Sequence, residues 1–176
     1  MNQVTAADLE AAIRNVPDFP KPGIQFKDIT PVLADAALFA GSIDLLATHH
    51  ANSGIDAVVG IDARGFIFAA AAALKLNTGF VPIRKKGKLP YKTNEENFSL
   101  EYGEDTVAIH EDALKPGARV LLLDDLLATG GTAAAAAKLV RNVGAEIVEI
   151  GFLIELSFLN GREKLNGHPI RSVITY

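Results

Sequence analysis

Short apolar runs alternate with stretches of helical spacing along most of the chain. The apolar runs are rich in β-branched residues and predict strands at residues 55–61, 80–83, 107–109, 119–123, 146–156 and 171–176. Helical spacing is found at residues 6–14, 36–51, 66–76 and 132–143. Near-continuous apolar strands that alternate with helices predict a mainly parallel central sheet with helices on both faces. We therefore expect an α/β fold with a single domain over residues 1–176.

Local signals between these elements support their boundaries. Thr5 and Asp8 have the spacing of a capping box at the start of the first helix. Gly144 is well placed to end the helix that precedes it. Three prolines and a glycine within residues 16–23 predict an irregular connection there.

The loops after Ile61, Ile83 and Leu123 are candidate binding loops, because parallel sheets bind ligands beyond the carboxyl ends of their strands. The third loop is the most informative. Its buried strand is followed by Asp124 and Asp125, and then by a turn of small residues that opens a helix. The turn consists of Ala128, Thr129, Gly130, Gly131 and Thr132. Its glycines leave backbone N–H groups open to an anion, and its threonines add hydroxyl donors.

The free energies of individual interactions indicate which groups of this turn would contribute most to binding an anion. A hydrogen bond to a charged oxygen is worth roughly 1.5–3 kcal/mol, whereas the helix dipole contributes only ~0.3–1 kcal/mol. Several converging donors would therefore dominate the binding. Taken alone, the turn fits a tight turn with a helix cap about as well as a phosphate site, because short glycine motifs give many false positives.

The acid pair favours a sugar phosphate over a simple anion. Two carboxylates would repel a phosphate unless they bind another part of the ligand, and the 2′ and 3′ hydroxyls of a ribose are neighbouring donors. The same carboxylates would stabilise positive charge that develops on a sugar ring. Because neighbouring residues in a strand point to opposite faces, we expect the strand to end at about Leu123.

Composition and charge narrow the possible classes further. Seventeen basic and 21 acidic side chains give a formal net charge of −4, which argues against broad nucleic-acid binding. The absence of cysteine excludes disulfides and thiolate chemistry. The N-terminus lacks the pattern of a signal peptide, and the longest apolar run, residues 66–74, is far short of the ~20 residues of a membrane helix. We expect a cytoplasmic protein without membrane or nucleic-acid partners.

Other ligand motifs are missing from the sequence. No Gly-Lys-Ser/Thr follows a glycine loop, and no Gly-x-Gly-x-x-Gly is present, so neither a P-loop nor a dinucleotide fingerprint is predicted. The four histidines lack metal-site spacing, and the adjacent His49 and His50 are not expected to share a helix face.

The run from Leu121 to Thr132 resembles the phosphoribosyl-diphosphate signature of the type I phosphoribosyltransferase family. Further segments resemble those of the adenine-specific members and occur in the same order, at residues 18–31, 60–66, 83–90, 99–103 and 161–165. The resemblance implies the fold of that family, with a small base-binding hood at residues 1–34 and a flexible lid loop at residues 84–105. It also implies transfer of the 5-phosphoribosyl group from 5-phosphoribosyl 1-diphosphate to adenine, which gives AMP and diphosphate for purine salvage.

The resemblance further implies where each part of the two substrates would bind. The 5-phosphate would bind the turn of residues 128–132, and the ribose hydroxyls would bind Asp124 and Asp125. The diphosphate would bind a loop that commonly contains a non-proline cis peptide in this family, together with basic and phenolic partners. These implied diphosphate-binding residues are Asp62, Ala63, Arg64, Arg84, Lys88 and Tyr102.

For the base, the resemblance implies stacking of adenine on Phe26 and recognition of its edge by the backbone of Gln25 and Lys27. Glu101 would exchange a proton with the purine, so the expected catalytic residues are Glu101, Asp124 and Asp125. Mg²⁺ would be the cofactor, held mainly by substrate and water and by no residue directly. A homodimer is also implied.

The residue types alone leave alternatives open. Arg64 also fits a surface ion pair, Glu101 an exposed glutamate, Phe26 a core residue, and residues 84–105 a solvated hairpin. Two rival functions are a transferase for hypoxanthine, guanine or orotate, and a non-enzymatic sensor of the diphosphate sugar. The segment around Phe26 argues against the first rival. The lack of a spare DNA-binding segment argues against the second.

Overall fold

The computed structural model describes residues 3–99 and 104–176. They form two compact units, one up to Leu45 and one from Leu46 to Tyr176. Within these described residues, none of the helices has both the length and the apolar character needed to cross a lipid bilayer.

The first unit combines short helices with a two-stranded antiparallel ribbon. Its elements are α1 (Ala6–Ala12), β1 (Arg14–Pro17), β2 (Gln25–Asp28), α2 (Thr30–Ala34) and most of α3 (Ala36–Ala47). The predicted capping box is confirmed, because the Asp8 carboxylate accepts the Thr5 N–H at 2.8 Å and the Asp8 N–H donates to the Thr5 hydroxyl at 3.3 Å.

The ribbon corrects the prediction of an irregular connection over residues 16–23 at its first two residues, whereas residues 18–23 connect the strands irregularly as predicted. β1 includes Val16 and Pro17, which pair with Phe26 and Gln25 of β2. A proline is tolerated here because a two-stranded ribbon has free edges that need no N–H donor. The Phe19–Pro20 peptide bond between the strands is cis.

The second unit is built around a seven-stranded sheet. Its strands are β3 (Ala57–Ile61), β4 (Gly79–Lys85), β5 (Thr93–Ser99), β6 (Glu104–His110), β7 (Arg119–Leu127), β8 (Glu146–Glu155) and β9 (Ile170–Thr175). The sheet order is β5-β6-β4-β3-β7-β8-β9. Strand β6 pairs antiparallel with both β5 and β4, and the other neighbouring strands are parallel. The predicted α/β fold with a mainly parallel sheet is confirmed. Strand β5 was not predicted, because its sequence is largely polar.

Helices α4 (Gly65–Leu76) and α5 (Gly131–Asn142) pack on the sheet. The small residues of both helices allow close approach: a Cβ on Gly60 of β3 would lie 2.6 Å from the Cβ of Ala69 in α4. Three short 3₁₀ segments complete the unit, Thr48–His50, Ser157–Leu159 and Gly161–Leu165.

Strand β7 extends further than its neighbour β3, and this difference shapes the site. Pairing with β3 ends at Gly60 and Leu123, whereas pairing with β8 continues to Leu127 and Glu155. The prediction that β7 ends at about Leu123 is therefore wrong, since β8 continues the hydrogen-bonded ladder through the acid pair.

Candidate active site

The two acids lie near the carboxyl end of β7, close to the start of α4. Asp125 is buried, with 5% of its surface exposed, and its Oδ2 is 2.8 Å from Nε of Arg64. Asp124 accepts the N–H of Asp125 on its own Oδ1 at 2.9 Å. A Cβ on Gly65 would lie 2.6 Å from the same Oδ1. A glycine at the start of α4 therefore leaves the space that the Asp124 carboxylate occupies.

Burial makes ionisation of this pair unfavourable. Removal from water raises the pKa of Asp124 well above its ordinary value, and the nearby charge of Asp125 raises it further. Burial also raises the pKa of Asp125, although the Arg64 guanidinium opposes that shift. A positive charge beside the pair would favour the ionised form, in which both carboxylates accept hydrogen bonds from hydroxyl groups.

The turn of residues 128–132, which we call the phosphate turn, directly follows β7. Gly130 has a left-handed φ of 77°, and α5 begins at Gly131, one residue before the predicted start. Asp124 and all five residues of the turn line one pocket of about 90 Å³. The structure thus brings together the acid and the turn that the sequence predicted to bind one sugar phosphate.

The 3₁₀ segment Gly161–Leu165 supports the phosphate turn from behind. A Cβ on Gly130 would overlap the carbonyl oxygen of Gly161 and lie 3.0 Å from its carbonyl carbon. A Cβ on Gly161 would in turn overlap the carbonyl oxygen of Ala128. The two backbones therefore touch at a point where only glycines fit.

An ion pair between Arg162 and the buried carboxylate of Glu155 holds this supporting segment on the sheet. Nε and Nη2 of Arg162 donate to the two carboxylate oxygens of Glu155 at 2.6 and 2.7 Å. Ser172 of β9 donates to the same carboxylate at 2.6 Å. These hydrogen bonds lower the pKa of Glu155, with the Arg162 bond as the largest cause. The motif at residues 161–165 thus has a structural role next to the pocket.

The loop between β3 and α4 contains three of the six predicted diphosphate-binding residues: Asp62, Ala63 and Arg64. The peptide bond between Asp62 and Ala63 is cis, as the resemblance implied. Nε of Arg84 lies 3.2 Å from Oδ2 of Asp62, and its Nη1 donates to the Lys88 carbonyl at 3.0 Å. The structure therefore groups Asp62, Arg84 and Lys88, while Arg64 faces Asp125.

The basic stretch from Arg84 to Lys92 is partly neutralised by acids from the neighbouring strands. Lys85 lies 2.9 Å from Asp105, and Lys86 lies 2.7 Å from Glu95. We call β5, β6 and the turn that leads into β5 the charged ribbon. It contains much of the predicted lid, and its flexibility stays a prediction. Glu101 and Tyr102 lie outside the described residues.

The predicted base-binding residues lie on β2 of the first unit. The side chain of Asn15 donates to Oε1 of Gln25 at 2.6 Å. The rings of Phe19 and Phe26 meet edge to face, with centroids 5.1 Å apart. Phe26 is therefore half-buried in an aromatic pair within its own unit, and Lys27 lies two residues after Gln25 on the same strand.

Sequence reasoning missed several residues that shape this part of the molecule. It gave no role to Gly65, Gly161, Glu155 or Arg162, although Gly65 and the segment 161–165 belonged to recognised motifs. It also expected His49 and His50 to point apart, which is wrong: their Nε2 atoms lie 3.0 and 3.1 Å from the same oxygen of Glu149. The sequence could not predict this contact, because Glu149 comes beside the histidine pair only when β8 is folded into the sheet.

A second, larger pocket of about 600 Å³ lies at the opposite edge of the sheet. Its lining includes Ala57, Gly79 and Ala118, at or next to the amino ends of β3, β4 and β7. It contains none of the predicted site residues. The small pocket at the carboxyl ends therefore stays the candidate site.

Comparison with known proteins supports the interpretation of this pocket as a sugar-phosphate site. The profile of the phosphoribosyl transferase domain matches residues 28–171. A relative from Syntrophotalea carbinolica, an adenine phosphoribosyltransferase, is 60% identical over 169 residues, which cover 96% of this chain and 99% of the relative. The chain belongs to the phosphoribosyltransferase family and, within it, to the adenine phosphoribosyltransferases.

Solved structures of this family have the same fold. The adenine phosphoribosyltransferase of Thermoanaerobacter pseudethanolicus aligns with a TM-score of 0.92 at 50% identity, over 98% of this chain and all of that one (100%). The enzyme of Saccharomyces cerevisiae, complexed with an imino-altritol bisphosphate and adenine, aligns with a TM-score of 0.92 at 41% identity, over 96% and 97% of the two chains. The predicted family, fold and enzyme class, a pentosyltransferase, are confirmed.

Proposed function

We propose that this protein transfers the 5-phosphoribosyl group from 5-phosphoribosyl 1-diphosphate to adenine, giving AMP and diphosphate for purine salvage. The observation that carries the proposal is the pocket formed jointly by Asp124 and the phosphate turn, in a chain of the adenine phosphoribosyltransferase family. The yeast relative has been solved with adenine and an imino-altritol bisphosphate, which supports adenine and a phosphorylated sugar as substrate classes here.

In this proposal the 5-phosphate binds the phosphate turn: Ala128, Thr129, Gly130, Gly131 and Thr132. The left-handed Gly130 and the start of α5 at Gly131 support this assignment, because backbone N–H groups at a helix start are unpaired donors. Asp124 and Asp125 accept hydrogen bonds from the ribose hydroxyls. They also stabilise the positive charge that develops on the sugar as the bond to diphosphate breaks.

The diphosphate binds the loop of Asp62, Ala63 and Arg64, with Arg84, Lys88 and Tyr102 as further partners. In the structure Arg64 and Arg84 face the carboxylates of Asp125 and Asp62. Both arginines are about one-third exposed, at 38% and 37% of their side chains, so an incoming diphosphate can reach them. When the diphosphate binds, each arginine releases its carboxylate partner and donates to phosphate oxygens instead. The planar guanidinium can form two parallel hydrogen bonds to a phosphate.

Adenine stacks on Phe26, and the backbone groups of Gln25 and Lys27 read its edge. The antiparallel pair of β1 and β2 supports this assignment, because residues two apart in a strand direct their N–H and C=O groups toward the same side. One carbonyl and one N–H match the amino donor and the N1 acceptor of adenine. Hypoxanthine and guanine present O6 and N1–H, which would leave both groups unpaired.

Mg²⁺ is the proposed cofactor, held mainly by the diphosphate, the ribose hydroxyls and water. The described acids around the pocket fit this arrangement, because Asp62 and Asp125 already face arginines and form no protein cage for a cation. A hard cation that keeps several waters suits such a site and would neutralise charge on the departing diphosphate. Chelation of Mg²⁺ should stop the reaction, and added Mg²⁺ should restore it.

Glu101 is proposed to exchange a proton with the purine, as the resemblance implies. The Glu101→Gln variant should turn over more slowly without a change in thermal unfolding. Normal turnover of that variant would remove Glu101 from the catalytic residues and leave Asp124 and Asp125.

A homodimer in the cytoplasm completes the proposal. Helix α4 supports the dimer, because Ile67 and Leu74 are 38% and 84% exposed on an otherwise alanine-rich helix. Sedimentation velocity of the native chain and of Leu74→Asp tests it. A monomer in the native sample would contradict this part alone.

The decisive experiment supplies Mg²⁺ and 5-phosphoribosyl 1-diphosphate with adenine, hypoxanthine, guanine or orotate in turn. Nucleotide and released diphosphate are measured in each reaction. We expect AMP formation from adenine, with discrimination of about 10⁴-fold against hypoxanthine, since unpaired polar groups reject a wrong base strongly. Preferential use of another base would favour the rival transferase. Binding of the diphosphate sugar without turnover of any base would favour a sensor.

A further inference from the structure

Three metal-binding side chains converge away from the phosphate pocket. Nε2 of His49 lies 3.0 Å from Oε1 of Glu149, and Nε2 of His50 lies 3.1 Å from the same oxygen. All three ligand atoms lie within 4.8 Å of one another. Within residues 3–99 and 104–176, this is the one group of three or more histidine, cysteine or acidic residues with such spacing.

From this cluster we infer that His49, His50 and Glu149 bind a divalent transition-metal ion, with Zn²⁺ as the test case. Bond lengths of about 2.0–2.2 Å in a tetrahedral zinc site put neighbouring ligand atoms roughly 3.3–3.5 Å apart. The two measured separations, 3.0 and 3.1 Å, are a few tenths of an ångström shorter. A small rotation of the side chains would therefore admit the ion, with water as a fourth ligand.

The local structure explains how adjacent histidines reach one acceptor. Both lie in the 3₁₀ segment Thr48–His50, and their rings are in contact, with centroids 4.1 Å apart and planes tilted by 42°. His50 and Glu149 are largely buried, with side-chain exposures of 7% and 15%, whereas His49 is 31% exposed. His50 and Glu149 thus form the buried part of the site, and an ion can enter from solvent past the more exposed His49.

The chemistry of the ligands separates this site from the proposed Mg²⁺. Two imidazoles and one carboxylate suit zinc, nickel or copper, whereas magnesium prefers an all-oxygen shell. The positive charge of Arg171 acts on His49 and works against a cation. We therefore expect moderate affinity.

The cluster is also spatially separate from the acid pair. Glu149 lies opposite Leu121 of β7, and Phe152 lies opposite Asp124. The cluster and the acid pair are thus three residues apart along the strands, or roughly 10 Å. Metal binding would join the 3₁₀ segment to β8 within the second unit, and it requires neither substrate nor Mg²⁺.

Isothermal titration of the tag-free, metal-stripped protein with ZnCl₂, in excess Mg²⁺, tests this inference. We expect one Zn²⁺ per chain and a higher unfolding temperature, because a ligand that binds only the folded state stabilises it. His49→Ala and Glu149→Gln should each weaken binding at least roughly tenfold, since even the loss of a ligand's hydrogen-bond partner costs about 10–100-fold. His168→Ala is the matched control and should bind as the native chain does.

Two results would overturn the inference: no saturable Zn²⁺ binding by the native chain, or undiminished binding by the His49→Ala/His50→Ala variant. The unfolding temperature of each variant without zinc serves as the check that it is folded. The exposed His49→Gln change gives a second test if the buried His50 proves necessary for folding. Because binding is measured directly, the outcome is independent of whether the proposed reaction occurs.

Discussion

The phosphate turn and the charged ribbon both supply groups for an anionic ligand, but they are held in different ways. The turn is fixed by backbone contact between Gly130 and Gly161. The charged ribbon is held by ion pairs such as that of Lys86 with Glu95, whose side chains are 64% and 36% exposed. Water and salt weaken exposed ion pairs, so the loss of one such pair costs little. A backbone contact between two glycines, in contrast, leaves no room for a side chain at either position. We therefore expect function to depend far more on each position of the turn than on the ion-paired positions of the charged ribbon.

The largest expected effect is that of Asp125→Asn on turnover. The variant keeps the shape of the side chain but removes the charge that would stabilise the developing cation on the sugar. We expect kcat to fall by about 10²–10³-fold, the usual cost of losing one electrostatic group in an active site. Steady-state kinetics measures kcat, and thermal unfolding should show little loss of stability. Glu111→Gln on the exposed surface is the control, and equal rates for both variants would contradict the ribose role.

Gly130→Ala should come next, because it combines a strained φ with a steric clash. A left-handed non-glycine residue costs of order 1–3 kcal/mol, and the added Cβ would also overlap the Gly161 carbonyl. We expect a higher KM for the diphosphate sugar and a lower unfolding temperature. Gly117→Ala is a matched control, since Gly117 has a φ of 79° but open space around its Cβ position. If both variants behave alike, strain alone accounts for the loss and the backbone contact does not matter.

Arg162→Ala should have a smaller effect of the same kind. It removes hydrogen bonds to the buried Glu155 carboxylate, and each such charged bond is worth roughly 1.5–3 kcal/mol when its partner is left unpaired. Arg162 is 46% exposed, so water will compensate part of this loss. We expect lower stability and a higher KM for the diphosphate sugar, with partial recovery in Arg162→Lys. An unchanged KM would show that the supporting segment does not position the turn.

The acid pair should also make stability depend on pH. Its raised pKa values mean that the folded state binds protons that the unfolded state has released. The pair's contribution to the free energy of unfolding is therefore fully present below the ordinary pKa of 3.8 and is lost as pH rises through the raised values. Thermal unfolding across pH compares the native chain with Asp124→Asn. The variant should gain stability relative to the native chain as pH rises, and parallel curves would contradict the raised pKa.

The smallest effect is expected in the ribbon, from Lys86→Ala. Exposed ion pairs contribute about 0.2–1 kcal/mol, so the unfolding temperature should change little and KM should rise only slightly. Glu95→Ala removes the other partner and should behave the same way. A large rise in KM for Lys86→Ala alone would mean that this lysine binds substrate.

Much of the site was predictable because its signals are local. The acid pair, the glycine turn and the following helix are contiguous in sequence, and the structure puts Asp124 and the turn in one pocket. The end of β7 was predicted wrongly because the strand's length depends on β8, which lies more than 20 residues further along the chain. The contact of Gly130 with Gly161 and the approach of His49 to Glu149 were missed for the same reason. Such contacts depend on sheet order, which local sequence patterns do not determine.

The unequal lengths of β3 and β7 have a consequence for redesign. Beyond Leu123, β7 no longer pairs with β3, although it still pairs with β8. The start of α4 lies on that flank instead, since a Cβ on Gly65 would be 3.1 Å from the carbonyl oxygen of Leu123 and from the Cα of Asp124. Two extra residues at the end of β3 would therefore displace Gly65 and move the start of α4 relative to the acid pair. The place where β3 ends thus fixes which main chain lies against the two acids.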